Sequence, residues 1–113
     1  MTATVTKTFE FSASHAHGDK VIGHNYTLRA VFQVSDEHAE TGLSDKIEKC
    51  LIQKVHSRDL GQHVDFLKGA ALNELALLKA FWAVIEPSVH PTVLHSLSLE
   101  RDRRTLWTLT ASG

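Results

Sequence analysis

The sequence predicts an α+β fold with the order ββααββ, in which four antiparallel strands form a sheet and two helices cover one of its faces. Apolar residues recur at every second position near both termini and at helical spacing through the middle of the chain. A chain of 113 residues can bury one core, and no linker or repeat divides it. We therefore treat residues 1–113 as a single domain.

The N-terminal strands are predicted to form a hairpin. Residues 4–15 and 24–35 both place apolar side chains at alternate positions, which is typical of strands with one buried face. Gly18, Asp19 and Gly23 lie between the two segments and favour turns. An antiparallel pairing of the two segments follows.

The middle of the chain predicts two helices. The first starts near Leu43, with Ser44 placed to cap its N-terminus, and its apolar stripe ends near His56. The second runs over residues 70–86 and is stopped by Pro87. It is apolar on several sides, which indicates contacts with other subunits as well as with the core.

The C-terminal part returns to a period of two. Residues 93–100 alternate, with Val93, Leu97 and Leu99 on one parity and Glu100 on the other. Residues 101–104 are charged and predict a turn, and residues 105–109 alternate again. These segments supply the third and fourth strands of the predicted antiparallel sheet.

Composition excludes several classes of protein. A net charge of −1, with no run of like charge, gives no reason to expect a nucleic-acid partner. The longest apolar-rich segment is interrupted by Asn73, Glu74 and Lys79, so no membrane span is expected. The N-terminus lacks the features of a signal peptide, and a lone cysteine cannot form an internal disulfide. We expect a cytoplasmic protein.

The segment FSASHAHGDKVIGHNY contains His15, His17 and His24. If the two strands pair, His15 and His24 project from the same face at the same end of the hairpin, and His17 shares the parity of His15. Three histidines with one open position are a common zinc site. Hydrogen-bonded histidines at a sheet edge are the alternative, and the spacing leaves both interpretations open.

FSASH at the end of the first strand, GHNY at the start of the second and the order ββααββ together resemble the 6-pyruvoyltetrahydropterin and 6-carboxytetrahydropterin synthase family. The family pattern is Phe-Ser-Ala-x-His, His-Gly-His-Asn-Tyr, Leu-Asp-His after the first helix, and a glutamate near the C-terminus. The resemblance implies a tunnelling fold. It also implies a homo-oligomer, a trimer or a hexamer of stacked trimers, with pockets at subunit interfaces.

The resemblance also implies roles for particular residues. His15 and His24 match two of the three zinc ligands of the family, while Ile22 occupies the position of the third. We infer His17 as a candidate replacement, although it is not a family position. Glu100 resembles the glutamate that anchors the pterin ring by accepting hydrogen bonds. The alternative for Glu100 is an ion pair with Arg101 or Arg103.

Glu74 is the one residue at the entrance of the second helix that fits the family pattern, and the resemblance gives it a place in substrate binding. It could equally be a first-turn acid that is favoured by the helix dipole. The sequence leaves both interpretations open.

Several family features are absent. No cysteine precedes GHNY, and Cys50 lies on the apolar face of the first helix, where a structural thiol is expected. His56 is kept from the Leu-Asp-His element, but Val55 replaces its aspartate, so no adjacent residue orients the imidazole. A substituted base could come from three residues of the following loop, Asp59, His63 and Asp65, and the alternative for each is an ordinary solvated loop residue.

Two functional hypotheses follow from the resemblance. The first is a zinc-dependent lyase that acts on a reduced pterin such as dihydroneopterin triphosphate, with His56 as the surviving acid–base residue. The second is a non-catalytic oligomeric homologue that binds a pterin or purine-like ligand. The loss of the cysteine and the aspartate motivates the second.

Overall fold

A computed structural model of the chain describes residues 3–17, 20–61, 64–67 and 73–111. The side chains of residues 16 and 17 lie outside this description. No helix in the described part of the chain combines the length and the hydropathy that a membrane span requires. The elements in chain order are strand β1 (Ala3–His17), strand β2 (Lys20–Val34), helix α1 (the consecutive segments Leu43–Ile47, Glu48–Ile52 and Gln53–Val55), strand β3 (Arg58–Asp59), helix α2 (Glu74–Val89), strand β4 (Val93–Arg101) and strand β5 (Thr105–Thr110).

The strands form one five-stranded sheet in the order β3-β1-β2-β4-β5. Three neighbouring pairs are antiparallel, but β3 runs parallel to β1, so the prediction of four antiparallel strands is wrong in this respect. The backbone N–H of Ser57 donates to the Ser12 carbonyl over 2.5 Å, and that of Leu60 donates to the Ser14 carbonyl over 2.7 Å. A strand of two residues is too short to show any alternation in the sequence.

The β1–β2 hairpin is longer than predicted. Its pairing continues to His17 opposite Lys20, beyond the predicted strand ends at residues 15 and 24. In this register Ala13 lies opposite His24. The hairpin therefore carries its histidines on regular strand backbone.

Helix α1 begins at Leu43, with Gly42 as its N-cap residue at a φ of 80°. This left-handed conformation is one that glycine adopts without steric cost. Ser44 already lies within the first turn, so its predicted role as the N-cap is wrong. The middle segment of α1, Glu48–Ile52, has π-helical hydrogen bonding.

Helix α2 is capped by Asn73, whose side-chain oxygen accepts the backbone N–H of Ala76 over 2.9 Å. The helix continues to Val89, so the prediction that Pro87 stops it is wrong. A proline at this position removes one intrahelical donor, its own N–H, and the helix continues for two residues beyond it. Residues 70–72, where the predicted start falls, lie outside the described residues.

The core lies between the helices and one face of the sheet. This face carries the buried side chains Phe9, Phe11, Ala13, Tyr26, Leu28, Ala30, Phe32, Leu94, Leu97 and Leu99. Helix α2 contributes Leu77, Leu78, Phe81, Ile85 and Val89. The β2–β4 register shifts between Val31 and Phe32, so Val93 is 52% exposed, contrary to its predicted parity with the buried leucines. The helix-facing side of the sheet also holds the candidate site.

Candidate functional site

His15 and His24 lie side by side at one end of the helix-facing side of the sheet. Their ring centroids are 5.3 Å apart, and the rings are inclined by 29°. They are diagonal neighbours across β1 and β2, because His15 lies opposite Ile22 and His24 lies opposite Ala13. The strand parity predicted this juxtaposition, and the structure brings the two rings together.

The spacing of these two imidazoles fits a shared metal ion. Two imidazoles bound to one tetrahedral zinc have ring centres roughly 5 Å apart. Within the described ranges, however, no three His, Cys, Asp or Glu side chains lie close enough together to hold a metal ion. A third protein ligand from this chain would therefore be a side chain outside the described ones, such as that of His17.

Asp102 holds the ring of His24. Its Oδ2 atom lies 2.6 Å from His24 Nδ1, and its Oδ1 atom accepts the backbone N–H of Asn25 over 2.8 Å. The bond from the Asn25 N–H is the main reason why the pKa of Asp102 lies below its usual value, and the bond from His24 adds to it. The carboxylate is therefore ionised at neutral pH and accepts both bonds.

The backbone of Asp102 is tied to the same strand. Its N–H donates to the Asn25 carbonyl over 2.7 Å, and its φ is 51°. Asp and Asn are among the residues that tolerate this left-handed region. The sequence did not lead us to predict a role for Asp102. The feature that could have pointed to it is that it is the one acidic residue in the charged turn after Glu100.

Aromatic contacts connect the histidine pair to the core. The ring of Tyr26 packs edge-on against His24 at 5.9 Å and stacks on Phe11 at 5.1 Å. Phe11 in turn meets Phe81 of α2 edge-to-face at 6.1 Å. The orientation of His24 thus depends on core packing as well as on Asp102.

Burial raises the pKa of Tyr26 to about 12, and the negative charge of Glu74 contributes to the increase. In the unfolded chain this pKa is about 10. Between these two values the unfolded state loses the proton while the folded state keeps it. The contribution of Tyr26 to stability is therefore complete below about pH 10 and is lost as the pH rises towards 12.

The alkaline titration of Tyr26 can be measured directly, because it is the single tyrosine of the chain. We expect phenolate absorbance to appear with a midpoint near pH 12 in the folded protein and near pH 10 in urea. The Tyr26→Phe variant supplies the baseline. A folded-state midpoint near 10 would show that the Tyr26 hydroxyl is not shielded from water.

The two carboxylates predicted to bind substrate lie on opposite faces of the sheet. Glu74 is on the helix side, where its Oε1 atom lies 2.6 Å from Arg101 Nη1 and its side chain is 13% exposed. Glu100 lies on the other face, where its Oε2 atom accepts a hydrogen bond from Arg29 over 3.0 Å. The structure therefore brings Glu74, and not Glu100, to the face that carries His15 and His24.

His56 has an orienting partner that sequence reasoning missed. The backbone N–H of Ser12 donates to His56 Nδ1 over 3.1 Å, so a residue that is distant in the sequence, and not the missing adjacent aspartate, orients this ring. An N–H group only donates, so Nδ1 is unprotonated and the neutral ring carries its proton on Nε2. A backbone contact across 44 residues leaves no side-chain signature that the sequence could show.

Two clefts meet at Asp102. The first, which we call the His56 cleft, has a volume of about 600 Å³ and is lined by His56, Asp102, Ser12, Asn25 and Arg103 among others. The second, the His24 cleft, has a volume of about 370 Å³ and is lined by His15, Ile22, His24, Arg101, Asp102, Arg104 and Thr105. Their sizes fall within the range of small-molecule sites.

The remaining candidates lie apart from these clefts or outside the description. Cys50 is partly buried against the core on α1, where its Sγ donates to the Ile47 carbonyl at 3.8 Å. The carboxylate of Asp59 accepts the backbone N–H of Gly61 over 3.0 Å, and Asp65 begins a short 3-10 helix. His63 lies outside the described residues. Cys50, Asp59 and Asp65 are absent from the lining of both the His56 cleft and the His24 cleft.

No protein-family model and no curated protein sequence matches the chain. Among solved structures, the chain is similar to 6-pyruvoyl tetrahydropterin synthase from Caenorhabditis elegans, with a TM-score of 0.76 and 18% sequence identity. The match covers 99% of this chain and 97% of that one. The chain therefore shares the fold of 6-pyruvoyl tetrahydropterin synthase, and the resemblance noted in the sequence is confirmed at the level of the fold.

Proposed function

We propose that this chain is a zinc-dependent lyase of the pterin synthase type, which acts on a reduced pterin such as dihydroneopterin triphosphate. The pairing of His15 with His24 carries this proposal, because two imidazoles at a spacing that suits a shared metal ion lie together on a pterin synthase fold. His17 is the proposed third ligand. A bound zinc ion would polarise the side-chain oxygens of the substrate.

His56 is the proposed proton donor. Its accepting nitrogen is occupied by the Ser12 N–H, which leaves the Nε2–H group to donate to a substrate in the His56 cleft. Asp102 lines both clefts. By strand alternation, however, Ser12 and Asn25 in the His56 cleft lie on the face opposite His24, so within one chain the two clefts open on opposite faces of the sheet.

The charges around the His24 cleft suit an anionic substrate. Arg101 and Arg104 line this cleft with one carboxylate, Asp102, whereas the His56 cleft has Arg103 beside two carboxylates, Glu10 and Asp102. Guanidinium groups bind phosphate oxygens in a planar, often bidentate geometry. These arginines support the proposed triphosphate substrate.

The position of Glu100 favours an active site that is completed by another subunit. Its place on the face opposite His24 means that one chain does not present both groups to one pocket. Strand β5 ends the sheet with Leu106 58% exposed and Trp107 44% exposed, an edge that a second chain could cover. We therefore propose a homo-oligomer, a trimer or hexamer, whose size sedimentation velocity would measure.

Two measurements on one protein preparation test this proposal: its zinc content and its turnover of dihydroneopterin triphosphate. We expect metal-replete protein to retain zinc and to convert dihydroneopterin triphosphate, and we expect His56→Ala to reduce turnover by about 100-fold while zinc stays bound. His38→Ala is the matched control, since His38 is 88% exposed in a short 3-10 helix outside both clefts. Folded protein that takes up no zinc would refute the proposal.

A non-catalytic pterin-binding homologue is the second candidate. It is favoured by the position of Cys50 on α1, outside both clefts, which leaves the site without a thiol nucleophile or acid. It predicts saturable pterin binding with no turnover. Turnover that is lost in His56→Ala would exclude it.

A further inference from the structure

We propose that Asp102 is a positioning residue that holds His24 in the Nδ1–H tautomer and so presents the unprotonated Nε2 for metal binding. This inference rests on the proposed zinc site, which it deepens by naming the residue that prepares the ligand. Nothing in the resemblance assigned Asp102 a role. The inference comes from the contacts of its two carboxylate oxygens.

The first step concerns the proton on His24. A carboxylate has no hydrogen to donate, so the 2.6 Å contact between Asp102 Oδ2 and His24 Nδ1 requires the hydrogen to be on the ring nitrogen. A neutral imidazole with hydrogen on Nδ1 has its lone pair on Nε2. A lone pair is what a metal ion needs, and carboxylate-bound histidines are common among zinc ligands.

The second step concerns rigidity. Asp102 is held at its own backbone and at its other carboxylate oxygen by Asn25, the residue next to His24 on β2. The side chain of His24 is only 15% exposed, and its ring contacts both His15 and Tyr26. Asp102 therefore moves with strand β2, and its carboxylate can fix one orientation of the imidazole.

The decisive variant is Asp102→Asn. Asparagine tolerates the φ of 51°, and its side-chain oxygen can still accept the Asn25 N–H, so the turn should be retained. Its NH₂ group would then face His24 Nδ1 as a donor and favour hydrogen on Nε2. A hydrogen on Nε2 blocks metal binding at that atom. The matched control is Asp36→Asn, which removes the same charge at the cap of a short 3-10 helix outside both clefts.

Two measurements test the inference. Long-range ¹⁵N NMR on metal-free protein, at about pH 8.5 where a typical imidazole is neutral, reports the His24 tautomer. We expect Nδ1–H in the wild type and in Asp36→Asn, and Nε2–H in Asp102→Asn. Competition with a chelator reports zinc affinity, which we expect to fall 10–100-fold in Asp102→Asn only.

The outcomes separate this inference from the proposed function. An Nε2–H tautomer in the wild type, or an unchanged tautomer in Asp102→Asn, would overturn the inference even if zinc binds. A switched tautomer with unchanged zinc affinity would also overturn it, because Asp102 would then not prepare a ligand. A wild type without zinc affinity refutes the proposed zinc site, whereas the tautomer measurement still decides whether Asp102 positions His24.

Discussion

Replacing His24 by alanine is expected to weaken zinc binding by at least about 100-fold. The loss should exceed that of Asp102→Asn, because removal of a ligand costs more than disorientation of one, and losses of the second kind are typically 10–100-fold. The same change leaves the Asp102 carboxylate without its imidazole partner. Zinc affinity by chelator competition and pterin turnover should fall together.

The histidine control for this experiment is His38→Ala. His38 is 88% exposed and belongs to a short 3-10 helix that lines neither cleft. It should leave zinc affinity unchanged, whereas His15→Ala should behave as His24→Ala does. If His24→Ala bound zinc as tightly as the wild type, the paired imidazoles would not be the metal site.

Phe81→Ala is expected to lower the free energy of unfolding by about 3–5 kcal/mol. Its ring is 0% exposed and packs edge-to-face against both Phe11, at 6.1 Å, and Phe66, at 6.2 Å. Truncation removes these contacts and leaves a cavity between α2 and the sheet. Urea unfolding measures the loss from the shift in midpoint.

Leu75→Ala is the matched control, because Leu75 lies on the same helix and is 36% exposed. It should cost about 0.5–1 kcal/mol. A loss of similar size for both variants would contradict the packing described here. Because Phe11 also stacks on Tyr26, which contacts His24, Phe81→Ala should broaden the His24 NMR signals as well.

Periodicity predicted the strands and the faces of the sheet. The alternation in β1 and β2 placed His15 and His24 on one side, since side chains two residues apart share a face. It did not predict β3, whose two residues are too few to form a pattern. It also gave Val93 the wrong parity, because a register shift between β2 and β4 interrupts the alternation.

Local signals at the helix ends were less reliable. The sequence suggested Ser44 as a cap and Pro87 as a stop, yet Gly42 caps α1 and α2 continues through Pro87 to Val89. The start of α1 and the end of α2 depend on where each helix begins or stops packing against the sheet. Local propensity is a weak guide when tertiary contacts decide the boundary.

The sequence by itself determined the order of elements apart from β3, the resemblance to the pterin synthases and the pairing of His15 with His24. Only the tertiary structure revealed Asp102 beside His24 and the Ser12 N–H beside His56. Alternation acts over neighbouring residues and is visible in the sequence. These contacts join residues 78 and 44 positions apart, so they depend on how the strands and turns meet in space.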